Sequence, residues 1–120
     1  MFMNQRNSII LNKIIKETEM LIQMLNGVNK SDFLSNDEKM RATCMTLINI
    51  GELVKNLTED FRKKYNYIPW KDIAGLRDVA AHGYFTLRME DVWIYATKEL
   101  PGFLKQFHDI NQSIVNNDSV

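Results

Sequence analysis

Five glycines and two prolines in 120 residues leave the chain few places to turn sharply. A sandwich or barrel of short strands needs frequent turn signals, so this scarcity points to helices joined by short connections. The apolar spacing agrees. From Asn7 to Asn26, Ile10, Ile14, Leu21, Ile22 and Leu25 recur at helical period, Asn12, Lys13, Lys16, Glu19 and Gln23 occupy much of the other side, and Gly27 is placed as a stop. Ser35-Asn36-Asp37-Glu38 reads as a capping box, with Ser35 as N-cap and Glu38 reaching back to it, at the start of a long second helix. Met40, Cys44, Leu47, Ile48, Gly51, Val54 and Leu57 form its apolar stripe. Gly51 costs about 1 kcal/mol of helix propensity relative to Ala, a cost expected where another helix comes close. Glu52, beside it, is left open.

Residues 58–70 turn polar and aromatic and read as a connection ending at Pro69, which disfavours helix at Ile68 and suits the first turn of a third helix. That helix is expected from about residue 69 to about 81, with Gly83 as its left-handed terminator and His82 left at its end. A fourth helix starts near Thr86, passes through Met89, Val92, Trp93 and Ala96, is kinked or restarted by Pro101, and continues through Phe103, Leu104, Phe107 and Ile110. The Asn- and Ser-rich stretch 111–120 is expected to fray. The expected fold is all-α, an up-and-down bundle of four to five helices in a single domain over 1–120.

The bulk chemistry narrows the function. A hydrophobic fraction of 45% with 25% charged residues suits an ordinary globular protein with one core. Lys and Arg number 15 against 15 Asp and Glu, so a polybasic coat is excluded and any phosphate site must be local. The balance is uneven along the chain: residues 55–88 carry seven basic against four acidic side chains, and residues 89–120 two against five. Cys44 is the single cysteine and makes no intramolecular disulfide, residues 1–13 lack the order of a secretory signal, and the cytoplasm is the expected compartment. No apolar run approaches the roughly 18 residues needed to cross a bilayer, so no membrane association is expected.

Few groups remain for chemistry. Cys44, His82 and His108 fit no zinc spacing, and neither a Gly-rich phosphate loop nor a serine nucleophile motif occurs, so no metal or cofactor is expected. What stands out is Gly75-Leu76-Arg77-Asp78-Val79-Ala80-Ala81-His82-Gly83-Tyr84, which gathers Arg77, Asp78, His82 and Tyr84 among small residues at a helix end. Arg77 and His82 lie about 140° apart on an ideal helix and converge only if the helix ends or distorts at His82. Converged, a guanidinium that neutralises phosphate oxygens and an imidazole that moves protons are what phosphodiester cleavage without a metal requires. The plainer alternative is a surface ion pair of Arg77 with Asp78 plus a histidine capping the helix. Trp70, Trp93, Phe61 and Phe103 are expected to pack, Cys44 to be an inert buried thiol, and His108 to be exposed. Tyr65 and Tyr67 are candidates for a cleft wall.

Arg77-x-x-x-x-His82-x-Tyr84, with Asp78 after the arginine, resembles the Arg-x(4–6)-His signature of the HEPN superfamily and the His-x-Tyr extension of its HepT toxin family. Ile50-Gly51-Glu52, the run Ile68-Pro69-Trp70-Lys71-Asp72-Ile73-Ala74-Gly75-Leu76, His82-Gly83-Tyr84-Phe85, Val92-Trp93 and Leu100-Pro101 resemble the family pattern in the same order, over roughly residues 7–108. Val79-Ala80-Ala81 departs from it in being less bulky. The resemblance implies a HEPN-like helical homodimer whose two Arg/His motifs face each other across a cleft, acting as a metal-independent endoribonuclease toxin of a type VII-like toxin–antitoxin pair. It implies catalysis by Arg77 and His82 with Asp78 in support, RNA as substrate, and Tyr84 as the residue that a cognate MntA-type minimal nucleotidyltransferase antitoxin modifies with AMP. A non-catalytic HEPN adaptor that binds nucleotides or a nucleotidyltransferase is the alternative.

Overall fold

The computed structural model describes residues 2–86 and 89–118, with side chains described at 5–78, 80–81 and 89–116. Every regular element among them is helical. Helix α1 (Phe2–Leu25) begins five residues earlier than expected, since no glycine or proline interrupts this stretch. It buries Leu11, Ile14, Thr18, Leu21 and Leu25 at intervals of three and four. The Thr18 hydroxyl donates to the Ile14 carbonyl at 2.8 Å, so its burial leaves no unmet donor. Gly27 ends the helix at φ 77°, a conformation that suits glycine.

A short helix, α2 (Lys30–Leu34), follows, outside the helices expected from the apolar spacing. It moves the expected capping box. Ser35 closes α2 and donates its hydroxyl to the Asp32 carbonyl, so the N-cap of α3 (Asp37–Lys55) is Asn36, whose side chain accepts from the Lys39 amide at 3.0 Å. The α3 stripe packs as expected as far as Val54, with Cys44, Leu47, Gly51 and Val54 buried and Met40 and Ile48 partly so; Leu57, also buried, lies beyond the end of the helix. The connection at 58–70 contains a further short helix, α4 (Glu59–Lys64), whose N-cap Thr58 accepts from the Phe61 amide. Thr58 is in turn gripped by Asn7 of α1. The Asn7 amide donates to the Thr58 hydroxyl at 3.0 Å, and its carbonyl accepts the Thr58 backbone N–H at 3.1 Å.

Helix α5 (Trp70–Thr86) starts directly after Pro69, as the sequence requires, but does not stop at Ala81. Its backbone continues helically through Gly83 to Thr86, so Gly83 is an interior residue and not a terminator. Trp70 anchors the start: its indole donates to the Tyr65 carbonyl at 3.0 Å and its ring stacks on Phe107 at 5.9 Å. Beyond 88, α6 (Met89–Ile94) runs into a π-helical turn over Tyr95–Glu99 and a 3₁₀ turn over Leu100–Phe103 before α7 (Leu104–Asp118). Pro101 lies in the 3₁₀ turn and cannot donate the hydrogen bond an α-helix would need there, which accounts for the expected kink.

The stretch 111–120, expected to fray, is helical as far as Asp118. Asn and Ser lower helix propensity by at most about 0.7 kcal/mol each, whereas full burial of an isoleucine contributes about 1.5–3 kcal/mol, and Ile110 and Ile114 are both buried. The helices share one core in which α1 packs on α3 and α7, and α3 packs on α5. Asn7→Ala removes both hydrogen bonds to Thr58 and frees a donor at the α4 cap. Urea denaturation should show a loss of about 1–3 kcal/mol, and an unchanged midpoint would mean that Asn7 does not fasten α1 to α4.

Candidate functional site

The site is built where α3 crosses α5. Gly51 is buried in that crossing, and a Cβ placed on it would lie 2.8 Å from the Arg77 Cβ, 2.9 Å from the Arg77 backbone nitrogen and 3.0 Å from the Ala74 carbonyl oxygen. The close approach expected at Gly51 is therefore real, and its partner is Arg77 itself. One residue on, the Glu52 carboxylate pairs with Nε of Arg77. Asp78 takes the other side, its Oδ1 accepting from an Arg77 terminal nitrogen at 3.1 Å. The guanidinium is thus held between two carboxylates, one from each helix. Its side chain remains 44% exposed, and Glu52 is 47% exposed. Ion pairs this open contribute about 0–1 kcal/mol, so the clamp orients Arg77 without fixing it, and another oxyanion can take the place of either carboxylate.

The bend expected to bring His82 to Arg77 does not form. With the α5 backbone unbroken through Thr86, residue 82 keeps its register about 140° round the helix and about 7.5 Å along it from residue 77. The side chains of His82 and Tyr84 lie outside the described residues. Arg77 and Asp78 are brought together as the sequence suggested, and Glu52, left open there, joins them. The signal for Glu52 was its place beside a costly helical glycine.

The other candidates resolve into structure. Cys44 is buried, and burial raises the pKa of its thiol, which leaves it a poor nucleophile. Tyr65 is buried against Phe61 at 4.9 Å and is a core residue, not a cleft wall; Tyr67 is exposed. Trp70, Trp93, Phe61 and Phe103 all pack, Trp93 against Phe33 at 5.0 Å. His108 is half exposed and lies 3.7 Å from the Glu19 carboxylate. The Tyr95 hydroxyl, in the π-helical turn, is pushed up to about 12 by burial and by the Glu99 and Asp72 carboxylates, so it stays protonated. Among the described residues no group of three or more His, Cys, Asp or Glu is placed to hold a metal ion. No described helix is long and apolar enough to cross a membrane. Part of the basic excess of residues 55–88 is engaged at α4, where Lys63 pairs with Glu59 at 3.2 Å and Lys64 lies over the Tyr65 ring.

Comparison with known proteins gives a consistent result. The family described as "Ribonuclease HepT-like" matches residues 14–110. A protein of Caldanaerobacter subterraneus subsp. tengcongensis named "Putative RNase TTE0752" is 40% identical over 102 residues, covering 85% of this chain and 91% of the relative. From Methanocaldococcus jannaschii, "Putative RNase MJ0127" is 34% identical over 105 residues, 88% of this chain and 87% of the relative. The "Probable ribonuclease HepT" of Thermococcus cleftensis is 26% identical over 102 residues, 85% of this chain and 93% of the relative. No solved structure matches.

Gly51→Ala tests the crossing. Alanine adds about 1 kcal/mol of helix propensity, but the methyl group meets backbone atoms of α5 and overpacking costs about 1–3 kcal/mol. Chemical denaturation should show net destabilisation, and a variant as stable as the parent would mean that α3 and α5 are not in contact at this point.

Proposed function

Since the chain belongs to the HepT-like ribonuclease family, we propose that it is a metal-independent endoribonuclease in which Arg77 and His82 carry the chemistry and Asp78 supports them. The observation that carries this reading is the half-exposed Arg77 guanidinium, held at the surface by two carboxylates that a phosphate can displace. In the proposed reaction the 2′-oxygen of a ribose attacks the adjacent phosphorus as His82 accepts its proton. The bond to the 5′-oxygen breaks as that oxygen takes a proton from a protonated imidazole, giving a 5′-hydroxyl and a cyclic phosphate end. Arg77 stabilises the charge that builds on the phosphoryl oxygens.

The registers of residues 77 and 82 on one unbroken helix favour a homodimer in this scheme. Two facing copies supply Arg77 from one chain and His82 from the other around a single phosphate, and two imidazoles to divide the acid and base roles. Such a nuclease would be the cytoplasmic toxin of a type VII-like pair, and Tyr84 the site where a MntA-type nucleotidyltransferase antitoxin attaches AMP. Two positions along the chain from His82, a phosphodiester charge and an adenosine would repel and obstruct RNA. The same clamp supports a second reading, a non-catalytic adaptor for nucleotides or for the transferase, because Glu52 and Asp78 already neutralise Arg77.

One assay separates the two. The purified protein should cleave RNA in the presence of EDTA and leave cyclic phosphate ends, with Arg77→Ala and His82→Ala each losing at least a hundredfold in rate. Binding of RNA without cleavage would favour the adaptor, and cleavage undiminished in His82→Ala would remove His82 from the mechanism. Incubation with the transferase and ATP should add one adenylate to the parent and none to Tyr84→Phe; equal labelling of both would place the modification elsewhere.

A further inference from the structure

A groove between α1 and α3, of about 400 Å³, opens beside the Arg77 clamp and shares Glu52 with it. Its polar lining is two lysines, Lys13 and Lys16, and two carboxylates, Glu17 and Glu52, with Asn49 between. Glu52 pairs with Arg77, whereas Glu17 accepts from the neutral Asn49 amide at 3.4 Å and keeps its charge, so the two lysines leave the groove with one net positive charge beside the clamp. Neither lysine has an acidic partner among the described residues. Lys13 and Lys16 stand three apart on α1, hence on one face, and both are exposed. Met20 and Leu53 add an apolar wall, against which a ribose or base can lie.

Resting on the ribonuclease reading, we propose that this groove is the track by which a single RNA strand reaches Arg77, with Lys13 and Lys16 holding the phosphates next to the one that is cut. The chemistry is that of a flexible polyanion with apolar faces. Two uncommitted ammonium groups answer its phosphates, the apolar wall answers its sugars and bases, and the shared Glu52 makes the track continuous with the guanidinium. Glu52 also gives the track a direction. A phosphate arriving from the lysines displaces this carboxylate from Arg77, so entry along the groove and release of the guanidinium are one event.

The test compares the full-length protein with Lys13→Ala/Lys16→Ala on a single-stranded RNA oligonucleotide over a series of salt concentrations. Losing two phosphate contacts should make the slope of log affinity against log salt shallower by about 1.4, and should raise KM while leaving kcat unchanged. Lys13→Arg/Lys16→Arg should restore the parent values. The same loss of charge at Lys98 and Lys105, neither of which lines the groove, should change neither. If the parent cleaves RNA and the double alanine variant matches it in slope and KM, the track is overturned and the ribonuclease reading stands. If the parent neither binds nor cleaves RNA, the ribonuclease reading fails, and the track with it.

Discussion

The crossing of α3 and α5 at Gly51 governs how the rest of the site is arranged. A glycine in the middle of a helix is a standing cost of about 1 kcal/mol, and here the cost is tied to a particular contact, the backbone and Cβ of Arg77 lying where a side chain would be. The distance between the helices is therefore set by a missing methyl group. Glu52 follows about 100° further round α3, at the rim of the contact, which is where the arginine side chain emerges. Any larger residue at 51 would push α5 outward and carry Arg77 away from Glu52. One glycine thus connects the packing of α3 on α5 to the orientation of the Arg77 guanidinium.

Helix α5 is held at two places, with different physics at each. Trp70 fixes its first turn through a hydrogen bond to the Tyr65 carbonyl and a stacked contact with Phe107 of α7, while Gly51 fixes its middle. The first anchor depends on α7 being in the right place, and α7 is reached only through the π-helical and 3₁₀ turns around Pro101. A straight continuation of α6 would have to satisfy a hydrogen bond that proline cannot make. The irregular backbone between α6 and α7 and the position of Arg77 thus belong to one chain of dependence, running through Phe107 and Trp70.

Much of this was legible in the sequence, because period and punctuation are local properties. The α1 and α3 stripes, the stop at Gly27, the start after Pro69 and the irregularity at Pro101 all follow from residue spacing and backbone chemistry. The differences have a common cause: a local signal overridden by packing or by a neighbouring element. Ser35 looks like an N-cap until α2 engages its hydroxyl, and the asparagines of 111–118 look like a loose end until Ile110 and Ile114 are buried. Gly83 has the composition of a terminator, yet a helix ends only where continuing is less favourable than stopping. At the site, Arg77 and Asp78 were visible as chain neighbours, whereas the role of Glu52 required knowing which helix lies against Gly51. Lys13 and Lys16 were visible only as polar positions on α1, and nothing local separates a solvated lysine from one that borders a groove.

The strength of the clamp on Arg77 bears on how such a site can work. Two exposed ion pairs together hold the guanidinium by at most about 2 kcal/mol, a factor of roughly thirty in an equilibrium. That is enough to keep the side chain in one orientation and to disfavour stray anions that meet it singly. In the ribonuclease proposed above it would be weak against a phosphodiester strand, which brings several charges at once and offers Arg77 a bidentate partner of matching geometry. A stronger clamp, buried away from water, would leave the arginine committed to structure; with no clamp it would be a flexible surface charge with no fixed direction. The half-exposed Glu52–Arg77–Asp78 arrangement lies between these limits, and it is Gly51, by setting how far α5 stands from α3, that keeps it there.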